Sequence, residues 1–411
     1  MGAERPAATR VRPTRTDAST PEGLANALRE SAAALGFDAI GFARAEEHPH
    51  AARLAAWLEK GRHATMRWMA REQERRSDPR RLVPEALSVV SVLASYYRGD
   101  WPVESPIEGR APALRGRIAR YAWGRDYHGR VKRRLNRLGR GLEALRPGAR
   151  WRAYVDSGPV LERGWAERAG LGWIGKNGNL IRQGAGSWYF LGEMICDVYL
   201  PAGEPARNRC GHCTRCIPAC PTGAIVAPYQ VDAGRCISYL TIEHEGVIPR
   251  EMRRAIGDRI FGCDDCQEAC PWNRFATPTH EPDFAERPLQ QTPWLLPLLS
   301  IDAEGFRARY EGTPLMRVGR DRFVRNVAVA LGNLGESRAV PALVRALRGE
   351  ESPAGRGHSA WALGRIGGDV ARQALLAALE SERDGGVREE IASALSDGAP
   401  RASGAGAPDS G

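Results

Sequence analysis

The chain has 411 residues, 43% of them hydrophobic, and carries 59 Lys and Arg against 49 Asp and Glu, a formal net charge of +10. That length suggests two to three domains and permits a sizeable core. No run approaches the 18 apolar residues of a membrane span, and the first twenty residues, MGAERPAATRVRPTRTDAST, lack the apolar core of a secretory signal. A disordered start over 1–20 and a cytoplasmic location are expected.

Residues 21–36 read as a helix, with Pro21 at its start and Gly36 at its end, followed by the short strand FDAIGFARA. LSVVSVLASYY (87–97), WRAYVDSGPV (151–160) and WYFLGEMICDVYL (188–200) read as further strands, and LERGWAERAGL (161–171) has helical spacing. Helices alternating with buried strands predict an α/β domain over 21–200. Within it, residues 129–152 hold nine basic residues against Glu143 alone. Arg130, Arg133, Arg134 and Arg137 belong to this candidate polyanion site, which could equally be a solvated helix face.

Residues 201–209 are a linker opening a cysteine-rich domain over 201–285. From 286 to 396 the chain is helical and repetitive. VRNVAVALGNLG starts at Val324, RGHSAWALGRIG at Arg356 and REEIASALSDG at Arg388, a period of 32 residues. The register holds at Ala328, Ala360 and Ala392 and at Ala330, Ala362 and Ala394, which predicts short HEAT-like helix pairs. Such a solenoid either binds a large partner or caps the preceding domain. Arg317, Arg320, Arg322 and Arg325 at its start favour a partner, with Arg322 and Arg325 as contacts to it. Residues 397–411 are low-complexity and expected to be disordered.

Eight of the nine cysteines lie within 210–270, which in a cytosolic chain means metal rather than disulfides. The spacing is Cys210-x2-Cys213-x2-Cys216-x3-Cys220-Pro221, then Cys236, then Cys263-x2-Cys266-x3-Cys270-Pro271. The first run is the bacterial ferredoxin pattern, whose fourth cysteine ligates the other cluster. Applied here, the crossover gives Cys210, Cys213, Cys216 and Cys270 to one [4Fe-4S] cluster and Cys220, Cys236, Cys263 and Cys266 to a second. The alternative is two four-thiolate zinc sites, against which the Cys-Pro endings argue. The insertion after Cys236 could reach another site. Cys196, in an apolar strand, reads as a small buried hydrophobe.

An iron–sulfur relay needs an electron acceptor. No G-x-G-x-x-G follows a strand. Gly170-x4-Gly175-Lys176-Asn177 approaches a phosphate loop, but Asn177 replaces its Ser/Thr; the glycines still allow close backbone approach to a ligand. Asp126-Tyr127-His128 approaches the D-x-H-x-x-G of one cobalamin class, with Val131 where the glycine belongs, so a histidine on cobalt is not indicated. His128 is then either a site residue or a helix-start residue. Asp156 lies in a strand-like apolar run, where burial would raise its pKa and suit a proton donor; the alternative is a turn cap.

RYAWGRDYH (120–128), YVDSGPVLERGWAERAGLGWIGKNGNLI (154–181), the eight cysteines and the HEAT-like tail together resemble the epoxyqueuosine reductase family, in order from about 22 to 395. That family is similar to reductive dehalogenases in pairing a cobalamin domain with two [4Fe-4S] clusters. The resemblance implies an α/β cobalamin-binding domain, a ferredoxin-like two-cluster domain and helical repeats. It implies reduction of epoxyqueuosine in the tRNA anticodon loop to queuosine, with electrons passing through the clusters to base-off cobalamin and Asp156 as proton donor. It places Ser238 in contact with cobalamin and Gly175, Asn177 and His128 near it, and implies a low-potential donor such as ferredoxin or flavodoxin and a monomeric enzyme. Gly158 stands where alanine is common, and Gly178 where a hydroxyl residue often follows Lys-Asn. The rivals are a respiratory reductive dehalogenase, which the basic, repeat-bearing tail argues against, and a ferredoxin-like carrier on a helical scaffold, which leaves the first 200 residues unexplained.

Overall fold

The computed structural model describes residues 18–100, 113–279, 281–285 and 290–397. The disorder expected before residue 18 and after residue 397 lies outside them. Residues 18–20, counted with the disordered start, instead lead into the first helix, where Thr20 Oγ1 accepts the Gly23 amide at 3.1 Å. Helix α1 (Pro21–Ala34) has its proline in the first turn and buries Leu24, Ala25, Leu28 and Ala32.

Strands β1 (Ala39–Arg44), β2 (Ser88–Ser95), β3 (Trp151–Tyr154) and β4 (Tyr189–Cys196) form one sheet in the order β1-β2-β4-β3. Every pairing is antiparallel. The expected α/β domain is thus a helix-flanked antiparallel sheet, not the parallel one that alternation often brings. Consecutive strands β1 and β2 pair directly, so the chain between them makes no crossover. Each residue of β2 is buried because the sheet is covered on both faces. Val90 and Val92 face a core made with α1 and with α2 (Tyr127–Leu145), while Val89 and Leu93 pack with Trp165 and Ala166 of α3 (Glu162–Arg168). Cys196 is buried in the first of these cores, as a small apolar residue would be.

Helix α2 determines the site's position. Asp126 caps it by accepting the His128 amide at 3.0 Å. Val131, Leu135, Leu138 and Leu142 form its buried stripe, at helical spacing. Gly139 lets it lie against β3, since a Cβ there would stand 2.4 Å from the Trp151 ring.

The cysteine-rich segment lies between this domain and the repeats. Cys236 immediately precedes α4 (Ile237–Ile242), and α5 (Arg250–Ile256) follows within the insertion. The repeats are α6 (Arg320–Leu334), α7 (Val340–Gly349), α8 (Pro353–Ile366), α9 (Asp369–Ser381) and α10 (Gly385–Asp397). The repeat register explains their packing. Ala328, Ala330, Ala360 and Ala362 are wholly buried, and a Cβ on Gly332 or Gly364 would strike the next repeat at Ala362 or Ala394. Ala392, in the last described helix, is exposed.

Candidate active site and cluster-binding loops

Strand β3 ends at Tyr154, so Asp156 lies in the loop beyond it and not in a buried strand. Its φ is +56°, the left-handed region that a non-glycine residue rarely adopts, and 53% of its side chain is exposed. The loop turns tightly, with the Ser157 amide on the Val155 carbonyl at 2.6 Å. Gly158 is required there because a Cβ would stand 2.4 Å from the Tyr154 ring, which accounts for glycine where alanine is common. Gly178 has φ +80°, which favours glycine over a hydroxyl residue in the same way.

The loop brings Asp156 to the start of α2. His128 Nε2 is 2.8 Å from Asp156 Oδ2, and His128 Nδ1 is 2.6 Å from Asp126 Oδ1. The imidazole therefore bridges two carboxylates. Burial alone would lower the His128 pKa, but its bonds to Asp126 and Asp156 outweigh that and raise it. For Asp156, burial acts upward, yet the hydrogen bond and charge of His128, with Tyr127 and Arg317, carry its pKa below the usual carboxylate value. This corrects the expectation of a carboxyl raised by burial. The two shifts have one cause: the close pair favours an ionised Asp156 beside a protonated His128.

Residues that sequence reasoning passed over complete the site. Tyr127 stacks on Phe190 with centroids 4.0 Å apart and shares a hydrogen bond with Asp156. Tyr121, half-buried, has its ring centroid 6.2 Å from that of Tyr127 and 5.9 Å from that of Phe261, and it feels the charges of both Asp156 and Glu243, so it borders both the acid loop and the segment between Cys236 and Cys263. Arg317 Nε is 3.9 Å from Asp126 Oδ2, bringing the start of the repeats to the site. Glu162 accepts the Asp156 amide through Oε1. An isolated Glu at the first turn after YVDSGPVL, and a Glu inside the apolar run of β4, were the available signals.

The cysteines gather in two neighbourhoods. Burial raises the Cys216 pKa first, followed by the charges of Cys270, Cys210 and Cys213. Burial again leads for Cys266, followed by Cys236 and Cys220, and Cys263 is raised by burial with Cys266 among its neighbours. Among the described residues, no group of three or more His, Cys, Asp or Glu side chains converges on a single-ion position. The donor set and its surroundings fit thiolate-bound clusters: the Ala224 amide points at Cys220 Sγ at 3.2 Å and Asn179 Nδ2 lies 3.9 Å from Cys266 Sγ, contacts that tune cluster sulfurs.

The glycine-rich loop serves these cysteines. Lys176 Nζ donates to the carbonyls of Gly211 and Cys213 at 2.7 and 3.0 Å, and Asn177 Nδ2 donates to the Cys266 carbonyl at 3.1 Å. Gly175 admits Ile181, whose Cδ1 would be 2.5 Å from a Cβ there. Asn177 is buried, and with Lys176 it braces both cysteine loops. Ser238 is half-buried and hydrogen-bonded to Cys236. Both nitrogens of His128 face carboxylates, leaving no histidine here to ligate cobalt; the site fits a cobalamin bound without a protein ligand on that face.

The arginines divide. Arg133 and Arg137 are exposed on α2 and Arg130 is half-buried beside them. Arg134 is committed instead: it pairs with Glu281 at 2.7 Å and lies over the Phe284 ring. Of the contacts expected at the repeats, burial removes Arg325, while Arg322 is half-buried. Arg325 is wholly buried, and its guanidinium donates to the carbonyls of His244, Gly246 and Leu240 and to Asn326 Oδ1. Arg322 donates to the carbonyls of Val318, Ile242 and Arg317. Strong donors at the base of a solenoid satisfy the irregular backbone of the insertion, the capping role weighed above.

Comparison with known proteins follows the same layout. Residues 76–157 match the family model described as epoxyqueuosine reductase QueG, DUF1730; residues 209–273 match the 4Fe-4S double cluster binding domain; residues 320–396 match HEAT repeats. An epoxyqueuosine reductase of Xanthomonas campestris pv. campestris is 46% identical over 351 residues, covering 84% of this chain and 97% of the relative. That of Escherichia coli K12 is 43% identical over 340 residues, covering 83% and 89%. A crystal structure of epoxyqueuosine reductase with a tRNA-Tyr epoxyqueuosine-modified stem loop superposes with a TM-score of 0.84 at 33% identity, over 91% of this chain and 98% of that one. A Bacillus subtilis structure with its aspartate-bearing catalytic loop swung out of the active site matches equally well. The chain belongs to the epoxyqueuosine reductase family.

Proposed function

We propose that this protein reduces epoxyqueuosine to queuosine at the wobble position of tRNA, the last step of queuosine synthesis. The observation that carries the reading is the Asp126–His128–Asp156 bridge, with Tyr121 in ring contact both with Tyr127 beside it and with Phe261 of the segment between Cys236 and Cys263. Two electrons and two protons enter; both epoxide C–O bonds break, a C=C bond forms and the oxygen leaves as water. The Asp156 loop and the segment bearing Ser238 would hold a base-off cobalamin, which when bound would supply the low-potential electron chemistry. Cys210, Cys213, Cys216 and Cys270, and Cys220, Cys236, Cys263 and Cys266, hold the two [4Fe-4S] clusters that feed it.

The chain's own part is proton delivery. His128 holds the proton at Nε2 against Asp156 Oδ2, and Asp126 fixes the ring through Nδ1. Asp156 passes that proton to the departing oxygen and recovers it from His128. The exposed arginines of α2, Arg133 and Arg137 with Arg130, supply phosphate contacts, and the base of a single-stranded loop can be splayed toward Asp156. Residues 205–231 contain no acidic residue, and the loop around Cys213 is exposed, which suits an acidic ferredoxin or flavodoxin as donor to a cytoplasmic monomer. Anaerobic incubation of the reconstituted protein with epoxyqueuosine-bearing tRNA and a low-potential reductant should yield queuosine by nucleoside mass analysis. Cofactor-loaded protein that yields none sinks the reading. Cobalamin binding without tRNA binding would favour a dehalogenase instead.

A further inference from the structure

Beneath the Asp156 loop lies a buried acid that the proposed reaction does not use. Glu193, in the middle of β4, is wholly buried. It pairs across the sheet with Ser91 of β2 and Tyr154 of β3, so all three side chains point to the α3 face. Neither carboxyl oxygen of Glu193 meets a donor, and the Ser91 and Tyr154 hydroxyls are also unpartnered. The group Glu193 does meet is the carboxyl of Glu162, at the start of α3. Two carboxylates cannot share such a place ionised. One must be protonated and donate to the other.

The surroundings decide which. Glu162 faces the cations Arg76 and Arg163 and accepts the Asp156 amide, while the charge that Glu193 feels is that of Glu162. Burial first, then the Asp156 charge, pushes Glu162 up to about 7, while burial and then the Glu162 charge push Glu193 well above the carboxylate range. Arg76, itself buried, donates to the Gly158 carbonyl at 3.3 Å, so the loop is held at Asp156 and at Gly158.

We propose that Glu193 and Glu162 share one proton and position the Asp156 loop: Glu193 donates to Glu162, and the Glu162 carboxylate holds the Asp156 amide. The left-handed backbone at Asp156 has a cost that this bond offsets. Glu193 is a positioning residue, acting through Glu162 and never on substrate. The inference rests on the proposed role of Asp156, but its first two tests do not require turnover.

Infrared spectra of the full-length protein at neutral pH should show the carbonyl stretch of a protonated carboxylic acid, and Glu193→Gln should abolish it. Hydrogen exchange at the Asp156 amide should rise in Glu193→Leu, which removes the donor, and not in Glu193→Gln, whose amide still donates. Turnover should follow the same order, Glu193→Leu losing about tenfold to a hundredfold in kcat with KM for RNA unchanged. Absence of the protonated-acid band overturns the proposal, as does wild-type exchange at Asp156 in Glu193→Leu. If Glu193→Leu does not fold, the band and its loss in Glu193→Gln decide alone. If the band and the exchange behave as stated while wild-type protein makes no queuosine, the function fails and the buried pair stands.

Discussion

Two helices of this protein are rich in arginine and use it in opposite ways. Helix α2 turns its apolar stripe to the sheet and leaves Arg133 and Arg137 in water, while its first turn carries the His128 bridge. Helix α6 buries Arg325 completely and spends its guanidinium on the carbonyls of the segment between Cys236 and Cys263. The same side chain is held out in solvent in one place and is a structural tie in the other. What differs is the neighbour: α2 lies against β3 and β4 of the sheet, and α6 lies against irregular backbone whose carbonyls Arg325 satisfies.

The largest effect is expected at the start of α2. Asp156→Asn keeps the shape of the loop but removes the acid, so turnover should fall by about 10²–10⁴-fold with folding and cluster content unchanged. Near wild-type turnover would remove Asp156 from the mechanism. On α6, Arg325→Met should cost about 3–5 kcal/mol in denaturant unfolding, since it orphans several buried carbonyls at once. A loss of RNA affinity without loss of stability would reverse the contrast between the helices.

The next effect is in pH. Glu162 has a folded pKa of about 7 against an ordinary 4.5, so folding favours its protonated form. Its contribution is fully present below the unfolded value and is lost as pH rises through about 7. Stability should decline across that window by on the order of 1–3 kcal/mol, and Glu162→Gln should flatten the decline. A wild-type profile in Glu162→Gln would place the titration elsewhere.

The smallest effect is on the exposed arginines. Arg133→Ala with Arg137→Ala should weaken tRNA binding and reduce the salt slope by about 2, with unfolding unchanged. An unaltered slope would return α2 to a merely solvated face.

Much of the fold was legible in the sequence because it depends on local period. The apolar run of β2, the stripe of α2 and the 32-residue repeat each state which face is buried before any partner is known. The family was legible because cysteine spacing is dictated by cluster geometry and few alternatives share it. The candidate site was legible in its members but not in their states. Asp156 was singled out for burial within a strand, yet the strand stops at Tyr154 and the acid is half exposed against His128. Glu193 passed for one residue of a strand, since nothing local announces that Glu162 lies across from it.

The sequence by itself therefore determined the modules, their order and the residue types available for metal, acid and polyanion chemistry. Only the tertiary structure decided which arginines reach solvent, why the glycine-rich loop braces the cysteines and where the protons reside. Such properties depend on groups distant in the chain. The protonation of a carboxyl or the reach of a guanidinium is set by the charges and free carbonyls packed around it, and these are brought together only by the fold.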